Sequence, residues 1–118
     1  MLLLLFHMDE ETYAIDSTQI VEVLPLVVLR KIHQAPKQIV GVFNYRTHMV
    51  PVVDLGLLIR GEACRSRYST RIMIVQYKTK SGEQAYVGLL AERVTETLDQ
   101  PNLKPLTQGD SSSYLGEM

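Results

Sequence analysis

Three histidines, one cysteine and a group of arginines are the side chains best suited to chemistry in this chain, and their spacing limits what each can do. His7, His33 and His48 lie 26 and 15 residues apart, so no two share the i, i+4 spacing that sets two ligands on one helical face. They read as surface or partly buried histidines, with no metal site. Cys64 stands among Arg60, Arg65 and Arg67, whose charges would favour its thiolate. No Gly-x-Ser-x-Gly elbow and no glycine-rich phosphate loop occurs. The plainer reading of Cys64 is a free thiol in a solvated loop, and Glu10-Glu11 read as solvated turn residues. The expectation is a protein that is not an enzyme and takes no cofactor.

The arginines raise a different chemistry. Arg60, Arg65, Arg67 and Arg71 lie in or beside the polar stretch Gly61–Thr70, opposed only by Glu62. Small β-barrels bind oligonucleotides through a basic face studded with aromatic rings. Here Tyr68 is the only ring in the stretch and the whole chain carries a net charge of −1, so a solvated connector is the better reading and no nucleic-acid partner is expected.

Whatever the site, 118 residues with 46% apolar and 21% charged side chains make one ordinary globular domain, residues 1–118. A lone cysteine excludes an internal disulfide. The apolar run Met1–Phe6 is too short for a signal peptide or a membrane span and is followed at once by Asp9, Glu10 and Glu11. The chain reads as cytoplasmic, without membrane insertion, and as free-standing, since Met1 leads directly into the first strand.

The apolar residues come in short bursts divided by turn residues, the rhythm of a mainly β domain. Leu2–Met8 and Tyr13–Asp16 read as strands about a polar turn. Ser17–Leu24 places Ile20, Val23 and Leu24 on one helical face, capped by Asp16 or Ser17 and ended by Pro25, which predicts one short helix. Val27–Ile32 is strand-like. Ile39–Asn44 and Met49–Val53 form a hairpin with its tip at Asn44–His48, and Pro51 points to an edge or a bulge. Asp54-Leu55-Gly56 closes that unit. Arg71–Tyr77 and Ala85–Ala91 form a second hairpin turning at Ser81-Gly82. Glu92–Leu98 fits a helix or a strand, and from Asp99 onward the chain reads as loop.

The run Ile39-Val40-Gly41-Val42-Phe43-Asn44-Tyr45-Arg46-Thr47-His48-Met49-Val50-Pro51-Val52-Val53-Asp54-Leu55 resembles the core motif of the CheW family, the coupling proteins of chemotaxis-type signalling. That motif reads I-x-G-V-x-N-x-R-G-x-x-V-P-V-x-D-L, and only Thr47 departs from it. Phe6–Asp16, Ile20–Val23, Thr70–Val75 and Tyr86–Val94 resemble further family stretches in the same order. The resemblance implies two small SH3-like five-stranded barrel lobes around a shared core. It also implies a non-catalytic adaptor joining the hairpin tip of a chemoreceptor to the regulatory domain of a CheA-type histidine kinase. A nucleic-acid-binding small barrel and an excised regulatory domain of such a kinase are the alternatives.

Carried onto this sequence, the resemblance marks Glu22, Asn44, Arg46, Thr47, Val50 and Asp54 as the partner-binding set. Arg46 matches the arginine implicated in receptor contact, and Glu22 a glutamate of the partner face. Asn44 is suited to fixing the turn through its side chain. Val50 is mostly core, unless a groove exposes it to a receptor helix. Thr47 replaces a glycine that supplies positive φ, so the hairpin is expected to use another turn type or a reshaped tip. Met1–Phe6 and Glu22–Pro25 are similar to members serving alternative, surface-sensing systems. The family also continues past Tyr114-Leu115-Gly116 into a last strand, missing here. An unpaired edge in the first lobe would then invite a homodimer by strand addition or swapping, the alternative being a truncated gene product of low stability.

Overall fold

In the computed structural model, residues 2–66, 69–98 and 104–105 are described. The loop expected over 99–103 and 106–118, and Arg67 and Tyr68 of the basic stretch, lie outside them.

Strands β1 (Leu2–Met8) and β2 (Glu11–Asp16) form the expected hairpin, in register from Leu3 opposite Asp16 to Met8 opposite Glu11. Leu4, Phe6 and Met8 are buried on one face of β1, the period-two pattern of a strand with a single core side. A second group contains β3 (Ile20–Pro25), β4 (Ile39–Tyr45), β5 (His48–Asp54), β6 (Arg71–Lys78) and β7 (Gln84–Ala91). These make one five-stranded sheet in the order β3-β6-β7-β5-β4, antiparallel except between β5 and β7. Strands β8 (Thr95–Leu98) and β9 (Lys104–Pro105) return to the first sheet, whose order is β8-β1-β2-β9. Glu92–Leu98, which fitted two periods, therefore ends as a strand. Among the described residues the first lobe has four strands, one fewer than five, and β9 covers the edge of β2 at Tyr13 and Ala14.

The lobes share a core, as the resemblance implied. Leu4, Phe6, Met8 and Ile15 of the first sheet pack with Met73, Leu89 and Ala91 of the second. On the opposite face of β6 and β7, Ile72, Ile74 and Leu90 join Tyr45, Val50 and Val52 in a second cluster inside the five-stranded lobe.

The predicted helix over Ser17–Leu24 is not formed. A 3₁₀ turn, Ser17–Gln19, is capped by Asp16, whose Oδ1 accepts from the Thr18 N–H at 3.0 Å. Beyond it the chain is extended as β3, with Ile20, Glu22 and Leu24 half-buried and Val21, Val23 and Pro25 exposed. Three β-branched residues among four disfavour a helix, and two turns are marginal alone, so pairing with β6 from Val75 to Arg71 decides the conformation. The α-helix lies instead at α1 (Leu55–Arg60), where the sequence suggested only a closing turn. Asp54 caps it through Oδ1, which accepts from the N–H groups of Gly56 (2.8 Å), Leu57 (3.1 Å) and Cys64 (3.2 Å), and Gly61 ends it at φ +82°. Among the described residues no helix is long and apolar enough to cross a membrane.

Two more expectations change. Val27–Ile32 contributes no strand, only a single bridge of Arg30 to Val42. Pro51 is on an inner strand, since β5 lies between β4 and β7, and not in a bulge, but it precedes the β7 ladder and so has an unpaired side. Opposite it, Val42 spends both backbone groups on Arg30, so the Val42–Pro51 pair is a non-hydrogen-bonded one, and the N–H that proline lacks would face away from β4. Pairing with β7 starts only at Val52, so no ladder bond is lost.

An ion cluster fastens the lobes at one side. Buried Glu92, just past β7, accepts from Arg60 Nη2 at 2.9 Å and from the Arg65 N–H at 2.7 Å. Arg60 also reaches Asp9 in the β1–β2 turn at 3.2 Å. Burial opposes the charge on Glu92, but the Arg65 N–H and the Arg60 guanidinium outweigh it and hold the carboxyl below its usual range. Glu92→Gln is therefore expected to lower stability above about pH 4.3, the unfolded value. That deficit should shrink as pH falls through the depressed folded value, which urea denaturation across the acid range measures. Asp54→Ala, which strands three N–H groups, should cost about 1–3 kcal/mol in the same assay at neutral pH.

Candidate functional site

The β4–β5 hairpin turns through two residues, Arg46 (φ 50°) and Thr47 (φ 68°), with Tyr45 paired to His48. Two left-handed residues in a two-residue loop define a type I′ turn, whose twist matches that of the flanking strands. Thr47 therefore keeps the left-handed backbone that the sequence reading expected it to avoid. Side chains supply the compensation: Asn44 Oδ1 accepts from the Thr47 N–H at 3.1 Å, and the Thr47 hydroxyl donates to the carbonyl of Arg46. Asn44 fixes the turn as its residue type suggested.

The turn sets Tyr45 and Arg46 against Glu22. The Tyr45 hydroxyl donates to Glu22 Oε1 at 2.6 Å, and Arg46 Nη2 donates to the same oxygen at 3.2 Å. The guanidinium carbon of Arg46 lies 5.1 Å from the centre of the Tyr45 ring. Tyr45 is itself buried, edge-on to Tyr86 at 5.6 Å, and Tyr86 meets His48 at 5.0 Å. Strands β3 and β4 are the two outer strands of the five-stranded sheet, so the carboxylate on one edge grips the tyrosine at the end of the other. The sheet is closed into a barrel at that point. The hydrogen bond to Glu22, followed by burial, raises the Tyr45 pKa above the ordinary value of 10.0, with Arg46 opposing in part.

Arg46 is held without being used up. Its side chain is 68% exposed, against 38% for Glu22. One of five guanidinium N–H donors goes to Glu22 and the remaining edge faces solvent, able to take a carboxylate bidentately.

Of the six residues marked in the sequence, Glu22, Asn44, Arg46 and Thr47 gather at this end of the barrel. Val50 and Asp54 do not join them. Val50 has no exposed surface and fills the second core cluster, while Asp54, 2% exposed, is occupied by the N–H groups of α1 and Cys64. Neither presents a surface to a partner. Tyr45 was not among the six. Its signal was the alternation of Ile20, Glu22 and Leu24, which puts a carboxylate on an inward face where it needs a donor, and the helical reading of that segment hid it.

The other candidate chemistry is accounted for inside the fold. Cys64 is not in open solvent: its Sγ lies 3.4 Å from the Leu90 carbonyl. Burial, then the neighbouring Asp54, pushes its pKa up to about 12, so the arginines do not produce a thiolate. Arg60 is spent on Asp9, Glu92 and two carbonyls, and Arg71 donates to the carbonyl of Thr70, so these two are not an open phosphate-binding row. Among the described residues no group of three or more His, Cys, Asp or Glu could hold a metal ion.

Residues 2–115 match the family described as CheW-like domain. The chain is similar to the chemotaxis protein CheW of Helicobacter pylori, at 25% identity over 105 residues covering 87% of this chain and 61% of that protein. It is similar to the chemotaxis protein CheW of Treponema pallidum at 34% identity over 53 residues, 45% of this chain and 31% of that one. Among solved structures it is similar to the scaffolding protein TtCheW of Thermoanaerobacter tengcongensis. The TM-score is 0.69 and the identity 26%, over 86% of this chain and 63% of the other. The chain thus spans about three fifths, or less, of the length of these relatives.

The grip of Glu22 on Tyr45 can be read by titration. Of the six tyrosines, Tyr45 should be held protonated above about pH 10, and Tyr45→Phe should remove that late step from the alkaline ultraviolet titration. Glu22→Gln should move the same step to lower pH. Because the folded value is the raised one, the stabilisation is complete below about pH 10 and is lost as pH climbs through the folded value.

Proposed function

The chain belongs to the CheW-like domain family, and from that premise we propose that it is a non-catalytic adaptor of chemotaxis-type signalling. It joins the cytoplasmic hairpin tip of a chemoreceptor to the regulatory domain of a CheA-type histidine kinase, in the cytoplasm beside receptor arrays. The observation that supports this is the presentation of Arg46. Its position in the family motif falls on a type I′ tip, where the Glu22 oxygen and the Tyr45 ring hold the guanidinium from one side and leave the other side open.

A cation fixed in this way has given up much of its rotamer freedom before a partner arrives, so less is lost on binding. A carboxylate on a receptor helix can accept two of its free N–H groups, and Met49, 51% exposed just after the turn, offers apolar contact beside them. Charge sets the register of such a joint and apolar contact its strength, which suits a reversible adaptor.

Arg46→Ala should weaken binding to a receptor cytoplasmic fragment about tenfold or more, the value of a charged hydrogen bond. The melting temperature should barely move, because an exposed pair contributes about 0–1 kcal/mol. Arg46→Lys should recover only part of the affinity, since an ammonium cannot match a carboxylate fork to fork. Unchanged binding by Arg46→Ala would remove Arg46 from the receptor contact.

A further inference from the structure

An adaptor must hold two partners, and the Arg46 tip is one contact. A second surface lies along the segment between β3 and β4. Between Glu22 and Asp54 the sequence has no acidic residue, while Arg30, Lys31, Lys37 and Arg46 are basic. The rest of the chain carries eight Lys and Arg against thirteen Asp and Glu, so positive charge is concentrated here in a molecule otherwise acidic. Arg30, Lys31 and Lys37 are exposed, and none makes an ion pair within the described residues.

The same segment exposes apolar side chains. Leu26 is 40%, Ile32 41% and Val28 94% accessible, the last an almost wholly uncovered valine. Looseness does not account for it. Val27 and Leu29 pack on the core of the barrel, so Leu26, Val28 and Arg30 alternate outward along an extended stretch. Arg30 is pinned to β4 by paired backbone bonds with Val42 at 2.8 and 2.9 Å. The approach is close enough that a Cβ on Gly41 would fall 2.7 Å from the Leu29 Cβ and 2.9 Å from the Arg30 carbonyl oxygen. Glycine at position 41 lets the segment lie down on β4, and that placement turns Val28 out.

We propose that Leu26, Val28 and Ile32, flanked by Arg30, Lys31 and Lys37, form a docking surface for a protein helix whose apolar stripe is bordered by carboxylates, distinct from the Arg46 contact. The inference rests on the adaptor reading. Exposed apolar side chains and cations without ion pairs among the described residues, on one short segment, match the chemistry of an amphipathic helix that carries carboxylates.

The probe is a synthetic amphipathic helix with leucines on one face and glutamates on the other, followed by fluorescence anisotropy against the full chain. Binding should weaken as salt rises, and each of Val28→Ser and Lys31→Glu should reduce affinity about tenfold. Both positions are exposed, so folding is not at stake. Lys80→Glu, in the β6–β7 loop, should leave binding unchanged. The proposal is overturned by any of three results: equal binding of a leucine–lysine helix, indifference to Val28→Ser, or binding to phosphatidylserine vesicles but not to the peptide. Arg46→Ala assayed against the receptor fragment separates the two readings. If that variant loses receptor affinity while the helix fails to bind, this surface falls and the adaptor assignment stands.

Discussion

Strands β6 and β7 are apolar on both faces, and the rest of the architecture answers to that constraint. Ile72-Met73-Ile74 and Gly88-Leu89-Leu90-Ala91 are buried without interruption, so no single layer can shelter them. One face is covered by the first sheet and α1, through Phe6, Ile15 and Leu55. The other is covered when β4 and β5 curl over it and bring Tyr45, Val50 and Val52 inside. That curl leaves two open edges facing each other, β3 and β4, and the carboxylate of Glu22 joins them. The ionic contact at the barrel end is thus a consequence of burying one hairpin twice.

Among the described residues the buried polar side chains are paired, which decides where chemistry is left over. Asp54 is consumed by three backbone N–H groups, Glu92 by an arginine and an amide, and Cys64 is held as a thiol against Leu90. Paired internal charges have little capacity to act on a ligand, because each lone pair or proton is already directed. Arg46 differs, with one hydrogen bond to Glu22 and a side chain 68% exposed.

Much of this was legible from residue order. Strands β1, β4, β5, β6 and β7 were visible because turn residues bracket short apolar bursts, and the hairpin motif placed Asn44 and Arg46 at a tip. The failures have physical causes. Ile20, Val23 and Leu24 satisfy helical spacing, yet three of the four residues Ile20–Val23 are β-branched and β6 supplies an edge to pair with. For α1 the signals existed, an aspartate before and a glycine after Leu55–Arg60, but six residues are too few for periodicity to show. Val50 and Asp54 were marked by motif position alone, and position says nothing about which way a side chain faces. The alternation that would have placed Glu22 opposite Tyr45 could be seen only once β3 was read as a strand.

Thr47 shows why the tip is better understood as braced than as reshaped. A β-branched residue at φ 68° costs on the order of 1–3 kcal/mol relative to an extended one, and glycine would avoid most of that. What threonine adds is a hydroxyl bonded to the Arg46 carbonyl, while Asn44 holds its amide. Both bonds are made at the left-handed φ, where they offset part of the strain. A glycine turn would reach the same φ with more alternatives open to it. Arg46 is the other residue of the turn, and its guanidinium is placed by Glu22 and the Tyr45 ring. The threonine at the motif's glycine position therefore sits in a braced left-handed turn, the turn on which Arg46 is presented.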